Sequence, residues 1–176
     1  MQKSKIYQQL KDQHQEMMSY LHSLDQEQIH QQVDGKWSAL QNVDHLLKSV
    51  KVVNPAVRKP SILLRSAFGK PNREARTYEA LVQRYQEKLK DGKAQSPKEY
   101  QAADSKDMDA QSILQDYDNE MQTFLKFVAK VKERKLDRTL LPHPLLGRLL
   151  MREVLYFMHY HTDHHLAAIK KSVVQA

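Results

Sequence analysis

Two histidines four residues apart carry the strongest chemical signal in this chain. In HYHTDHHLAAIKK, residues 159–171, they are His161 and His165. On a helix this spacing puts both imidazoles on one face, one turn apart, as a shared metal ion requires. The pair continues an apolar stripe through Val154, Phe157 and Met158, so both rings should point inward. Two buried imidazoles are costly unless their nitrogens are bonded. One metal ion would satisfy both, and so would hydrogen bonds to backbone or water. His161 with His164 is a second allowed pair, but His164 lies off the stripe. His159 points elsewhere again, toward solvent.

A third ligand must come from another segment, and His45 is the candidate. It lies off the centre of the Val43–Leu47–Val50 stripe, beside Asn42 and Ser49. Periodicity alone reads it as a surface histidine. A helix bordering a polar cavity at one end of a bundle would show the same edge position. His14, between Leu10 and Met17 on an apolar face, reads first as a satisfied core histidine and second as a partner to a ligand. No carboxylate is an obvious general base. Asp44 and Asp163 flank the histidines but should point away from them, which leaves Glu120 as the best placed. All three also read as solvated surface charge.

Four helical segments must position these groups. The first runs from about Lys3 to Leu24, with Ile6, Leu10, Met17, Leu21 and Leu24 on one face. The second starts near Ser38, where Gln41 three residues on suggests a capping box, and Pro55 should end it. The third runs from about Asp109 to Lys132 on a stripe from Ile113 to Val128. The fourth runs from about Leu149 to Val173. Between the second and third lies a long crossover, Ala56 to Lys106, interrupted by Pro60, Gly69, Pro71, Gly92 and Pro97. Short helices are expected within it near 62–68 and 77–89. Such a link lets helices two and three run in the same sense and often shapes a functional site.

Composition narrows the class. A chain of 176 residues suits one domain, taken as 1–176, with room for a sizeable core. Only four Gly and six Pro argue against an all-β fold with many tight turns. With no Cys, disulfides, thiolate sites and a cysteine nucleophile are excluded, and a reducing cytoplasm is compatible. No apolar run is long enough for a transmembrane helix, and the first residues do not read as a secretory signal. The net charge of +7 is dispersed among 21 acidic residues. Its densest cluster, Lys130, Lys132, Arg134 and Lys135, reads as a solvated helix end. Without a nucleic-acid motif, neither nucleic acid nor membrane is expected as a partner.

At this point the residues resemble a family. WSALQNVDHLLKS, residues 37–49, resembles the helix-two signature of the DinB/YfiT-like superfamily in Trp37, Ser38, His45 and Leu46. HTDHHLAAI, residues 161–169, resembles its helix-four signature, with ligands at the first and last His, here His161 and His165. HPLLGRLL, residues 143–150, and GKAQSPKEY, residues 92–100, are similar to a subgroup of uncharacterised DinB-like domains. The resemblance spans Trp37 to Ile169 and implies an all-α four-helix bundle with a long crossover between helices two and three. It further implies a divalent metal, zinc or nickel, on His45, His161 and His165, with open positions for water or substrate. His14, Trp37, Asn42, Ser49 and Glu120 are then candidates to support those ligands or line the pocket. Two departures concern the substrate side: Ala168 stands where the family often has Gln, and Leu146 where the subgroup often has an aromatic.

The implied activity is that of a metal-dependent enzyme acting on a small molecule. It would be an S-transferase using a low-molecular-weight thiol, or a hydrolase. Homodimers are common in the family. The alternative is a non-catalytic, metal-stabilised bundle that binds a ligand or partner.

Overall fold

The computed structural model describes residues 1–90, 97 and 100–174. The matched crossover stretch 92–100 lies, apart from Pro97 and Tyr100, outside the described residues. Four long helices form the bundle: α1 (Lys3–His22), α3 (Ala39–Arg58), α6 (Ala110–Lys130) and α8 (Met151–Val174). Shorter elements join them: α2 (Gln26–His30), α4 (Ser61–Phe68), α5 (Tyr78–Lys90), a 3-10 turn at Ser105–Asp107 and α7 (Glu133–Arg138). A hairpin of β1 (Leu140–His143) and β2 (Gly147–Leu150) leads into α8. No helix among the described residues is long and apolar enough to cross a membrane.

Apolar side chains at helical spacing explain the bundle. Ile6, Leu10, Met17 and Leu21 of α1 are buried against α6 and α8. Val43, Leu46, Leu47 and Val50 of α3 are buried, as are Leu114, Tyr117, Met121, Phe124 and Val128 of α6. Each such side chain stabilises the fold by about 1.5–3 kcal/mol relative to exposure, before ordering costs. Helix starts are fixed by short polar side chains. The Ser38 hydroxyl accepts from the Gln41 amide at 3.2 Å, and Gln41 Oε1 accepts from the Ser38 amide at 3.0 Å. Asp109 caps α6 by accepting from the Gln111 amide.

Cross-helix pairs give the sense of each helix. Lys51 reaches Asp116 and Asn54 reaches Glu120, so α3 and α6 advance together. Gln13 reaches the His159 carbonyl and Lys170 reaches Glu16, so α1 and α8 also run parallel. Asn42 meets His165 while His45 meets His161, so α3 opposes α8. The bundle is therefore up-down-down-up, and the long crossover carries the chain back between the two parallel helices α3 and α6.

Three expectations are corrected. Pro55 does not end its helix; α3 continues to Arg58. Proline withholds one amide, whose acceptor would be the carbonyl of Lys51, a residue on the exposed face where water can serve instead. Beyond it Val57 is fully buried, and that packing holds the extra turn. Second, Leu149 and Leu150 belong to β2 rather than to the last helix. The run LLPHPLLGRLL folds into a hairpin because Gly147 adopts φ 75°, where a side chain would be strained. Leu140, Leu141, Leu149 and Leu150 are buried within it. Third, α2 and α7 are additional short helices. Their five and six residues are too few for a readable periodicity.

The junction from β2 into α8 is closed by Glu153, whose side chain is fully buried. Its carboxylate accepts from the Arg73 guanidinium at 2.6 and 2.8 Å, from the Arg76 amide at 2.8 Å and from the Leu150 amide at 2.9 Å. Burial pushes its pKa up, but these donors outweigh burial and hold it below the usual value. The stabilisation is therefore complete above the ordinary carboxylate range and is lost as pH falls through the depressed pKa. Glu153→Ala should cost about 2–3 kcal/mol in urea unfolding at pH 7, because the buried Leu150 amide, the half-buried Arg76 amide and Arg73 lose their acceptor. The difference from wild type should shrink on acidification below about pH 4.

Candidate metal centre

Antiparallel packing of α3 on α8 brings His45, His161 and His165 together, all buried, at 8, 4 and 8% exposure. The His161 Nε2 atom lies 3.1 Å from the Nε2 atoms of both His45 and His165. One ligand atom from each residue lies within 4.8 Å of the others. Tetrahedral coordination with bonds of 2.0–2.1 Å would place ligand nitrogens about 3.3 Å apart, so the spacing fits one divalent ion.

The outer nitrogens determine what the inner ones can do. His45 Nδ1 is 2.7 Å from the Tyr100 carbonyl, which only accepts, so Nδ1 carries the hydrogen. His165 Nδ1 is 2.7 Å from Asn42 Oδ1. The Asn42 amide nitrogen meanwhile donates to the Trp37 and Ser38 carbonyls, which fixes its oxygen as the acceptor. Both rings therefore present a bare Nε2 lone pair to the centre. His161 Nδ1 is buried with no hydrogen-bond partner. Burial draws His161 and His165 well below the usual imidazole range, and neighbouring imidazoles add to it. Burial also lowers His45, although the Tyr100 carbonyl opposes this. Neutral rings with converging lone pairs suit a cation and are poorly satisfied by one another.

Aromatic rings wall the cluster. Trp37 lies tilted 5.2 Å from His45 and stacked 6.3 Å from His165. Phe157 stacks on His161 at 4.9 Å. Behind Phe157 sits His143, edge-on at 4.3 Å. Its Nδ1 accepts the Leu145 and Leu146 amides at 3.1 Å each, so Nε2 carries the hydrogen. Burial lowers its pKa to about 4. In the sequence His143 stands out only as half of a His-Pro motif. Its role depends on the hairpin, which no periodicity announced.

The other candidates separate cleanly. Asn42 supports His165 directly, and Trp37 touches two of the three rings. The Ser49 hydroxyl donates to the His45 carbonyl on its own helix rather than to the imidazole. His14 is a core histidine 2.7 Å from Asp118 and packed on the Tyr117 ring. Glu120 accepts from Asn54 at 2.5 Å. Asn54 is nine residues past His45 on α3, roughly 13 Å along the axis, which leaves Glu120 far from the cluster. Asp44 pairs with Lys48, and Asp163 with Gln13 and His159. His164 is exposed, while His159 is half-buried against Tyr78 and Asp163 instead of being solvated.

Buried histidines at the crossing of two antiparallel helices, in an up-down-down-up bundle, define a helical protein with a three-histidine group able to hold a metal. A sequence model of the DinB superfamily matches residues 9–169, and the chain belongs to that superfamily. Among solved structures it is similar to YfiT from Bacillus subtilis, at 17% identity and a TM-score of 0.64. That match covers 99% of this chain and 87% of the other. YfiT is described as a probable metal-dependent hydrolase with an unusual four-helix bundle topology. No curated protein matches the chain.

The support given by Asn42 is open to measurement. Asn42→Leu removes the acceptor for His165 Nδ1 and frees the ring to rotate. Zinc affinity by competition with a chromogenic chelator should fall about 10- to 100-fold, with helicity unchanged. Unaltered affinity would show that Asn42 does not orient the ring.

Proposed function

We propose that this protein is a metal-dependent enzyme that acts on a small molecule, with His45, His161 and His165 as ligands of one zinc or nickel ion. The observation that carries the proposal is the convergence of three buried Nε2 atoms, two of them stripped of hydrogen by their Nδ1 partners. Three imidazoles leave a position free on a four-coordinate ion, the pattern of catalytic rather than closed structural sites. An ion held there supplies Lewis acidity, which favours loss of a proton from a thiol or a water near neutral pH.

The chain's own groups do the rest. The Tyr100 carbonyl and Asn42 hold two ligand rings in one tautomer and one orientation. Trp37 and Phe157 restrict water around the rings and offer flat apolar surface to a substrate. His143, held by the Leu145 and Leu146 amides, packs edge-on against Phe157 and so fixes that ring beside His161. No carboxylate joins the cluster among the described residues. A water nucleophile usually draws on such a base, whereas an ionised thiol is itself the nucleophile. This favours S-transfer from a low-molecular-weight thiol to an electrophilic small molecule over hydrolysis.

Tag-free protein should carry about one divalent ion per chain by elemental analysis, and His161→Ala close to none. With a low-molecular-weight thiol and a chromogenic electrophile such as 1-chloro-2,4-dinitrobenzene, the loaded wild type should turn over and His161→Ala should not. Metal near zero in both proteins, even after incubation with zinc or nickel, would end this reading. Metal at full occupancy without turnover of any thiol or ester would favour a metal-stabilised binding module.

A further inference from the structure

The basic residues look dispersed along the sequence, but the fold gathers them. The segments 58–70 and 130–138 contain nine cations: Arg58, Lys59, Arg65 and Lys70 in the first, and Lys130, Lys132, Arg134, Lys135 and Arg138 in the second. Only two carboxylates accompany them, Glu133 and Asp137, and both are engaged by Arg152. The excess in these segments equals the formal charge of the entire chain, +7. They form one surface. Lys135 Nζ donates to the Lys59 carbonyl at 3.0 Å, and Arg65 Nε to the Arg138 carbonyl at 3.3 Å. The Arg148 guanidinium lies beside Gly69 and extends the same face.

Between Lys59 and Arg65, apolar side chains protrude. Helix α4 buries Leu64 and leaves Ile62 75% and Leu63 58% exposed. Ile62 is two residues from Leu64, about 200° around the helix, and so points straight outward. Large aliphatic side chains flanked along the chain by Arg58, Lys59, Arg65 and Lys70, with no acidic residue between them, match the interfacial region of an anionic bilayer. Nucleic acid would use the cations but gains little from Ile62 and Leu63. We infer that the end of the bundle formed by α4, α7 and the C-terminal turn of α3 is a docking surface for anionic phospholipid membranes. The cations supply long-range attraction, and Ile62 and Leu63 enter the headgroup layer. Arg58 is thirteen residues beyond His45 on α3, so docking would leave the histidine cluster about 20 Å along the axis from the lipid-facing end.

Co-sedimentation with vesicles tests this without reference to metal or turnover. Wild type should bind vesicles of 30% phosphatidylserine in phosphatidylcholine at 0.1 M NaCl. It should dissociate at 0.5 M NaCl and leave pure phosphatidylcholine unbound. Lys132→Glu combined with Arg134→Glu, both exposed, should weaken binding by about tenfold or more. Ile62→Asp should weaken it several-fold with the net cationic patch largely intact. Circular dichroism of each variant should match wild type. No sedimentation with phosphatidylserine vesicles overturns the inference. So does binding that ignores Ile62→Asp while duplex DNA binds more tightly than vesicles, since that identifies a nucleic-acid face.

Discussion

Three imidazole nitrogens face one another at hydrogen-bond distance inside a helical core, and two of them have no hydrogen to offer. One hydrogen on His161 Nε2 can serve at most one of them well, and it leaves His161 Nδ1 a buried acceptor with no partner. A divalent cation turns the same geometry into a favourable one. Much of the surrounding structure serves to maintain it. The capping box at Ser38 sets the start of α3, one turn before Asn42 and two before His45. The Asn42 amide spans from that cap to His165, so the helix start and the ligand ring are tied through one side chain. The Tyr100 carbonyl, supplied by the crossover, holds the opposite ring.

The topology serves the same cluster. His45 on α3 meets His161 and His165 on α8 where those helices pack antiparallel, and the up-down-down-up order provides this. It requires a long return between α3 and α6, and the chain uses that return twice. One part delivers Tyr100 to His45. Another delivers Arg73 and Arg76 to Glu153, fastening the crossover to the start of α8. The junction beside the hairpin is therefore anchored on the same helix that carries His161 and His165.

The sequence was most legible where periodicity and chemistry coincided. The four long helices followed from their apolar stripes, and His161 and His165 from a four-residue spacing that continued one of them. His45 was legible only through the resemblance in WSALQNVDHL, because its edge position reads as surface until α8 covers it. Asn42 could be named as a neighbour, but its role depends on a contact across 123 residues. Pro55 misled because a single missing amide is tolerated where the unpaired carbonyl meets solvent. The hairpin at 140–150 was hidden by its leucines, which suit a helix start as well as a strand, and with it went the tautomer of His143. Glu120 stood out only because the other carboxylates should point away, and its distance along the bundle from His45 cannot be seen in one helix.

The three converging rings call for one ion among them. Anomalous diffraction at the zinc or nickel edge, from crystals of protein purified without a histidine tag and soaked with that ion, tests it directly. A single strong peak is expected about 2.0–2.1 Å from the Nε2 atoms of His45, His161 and His165, with Asn42 still bonded to His165 Nδ1. A map with no peak there, or with the ion bound instead at surface histidines such as His164, would contradict it.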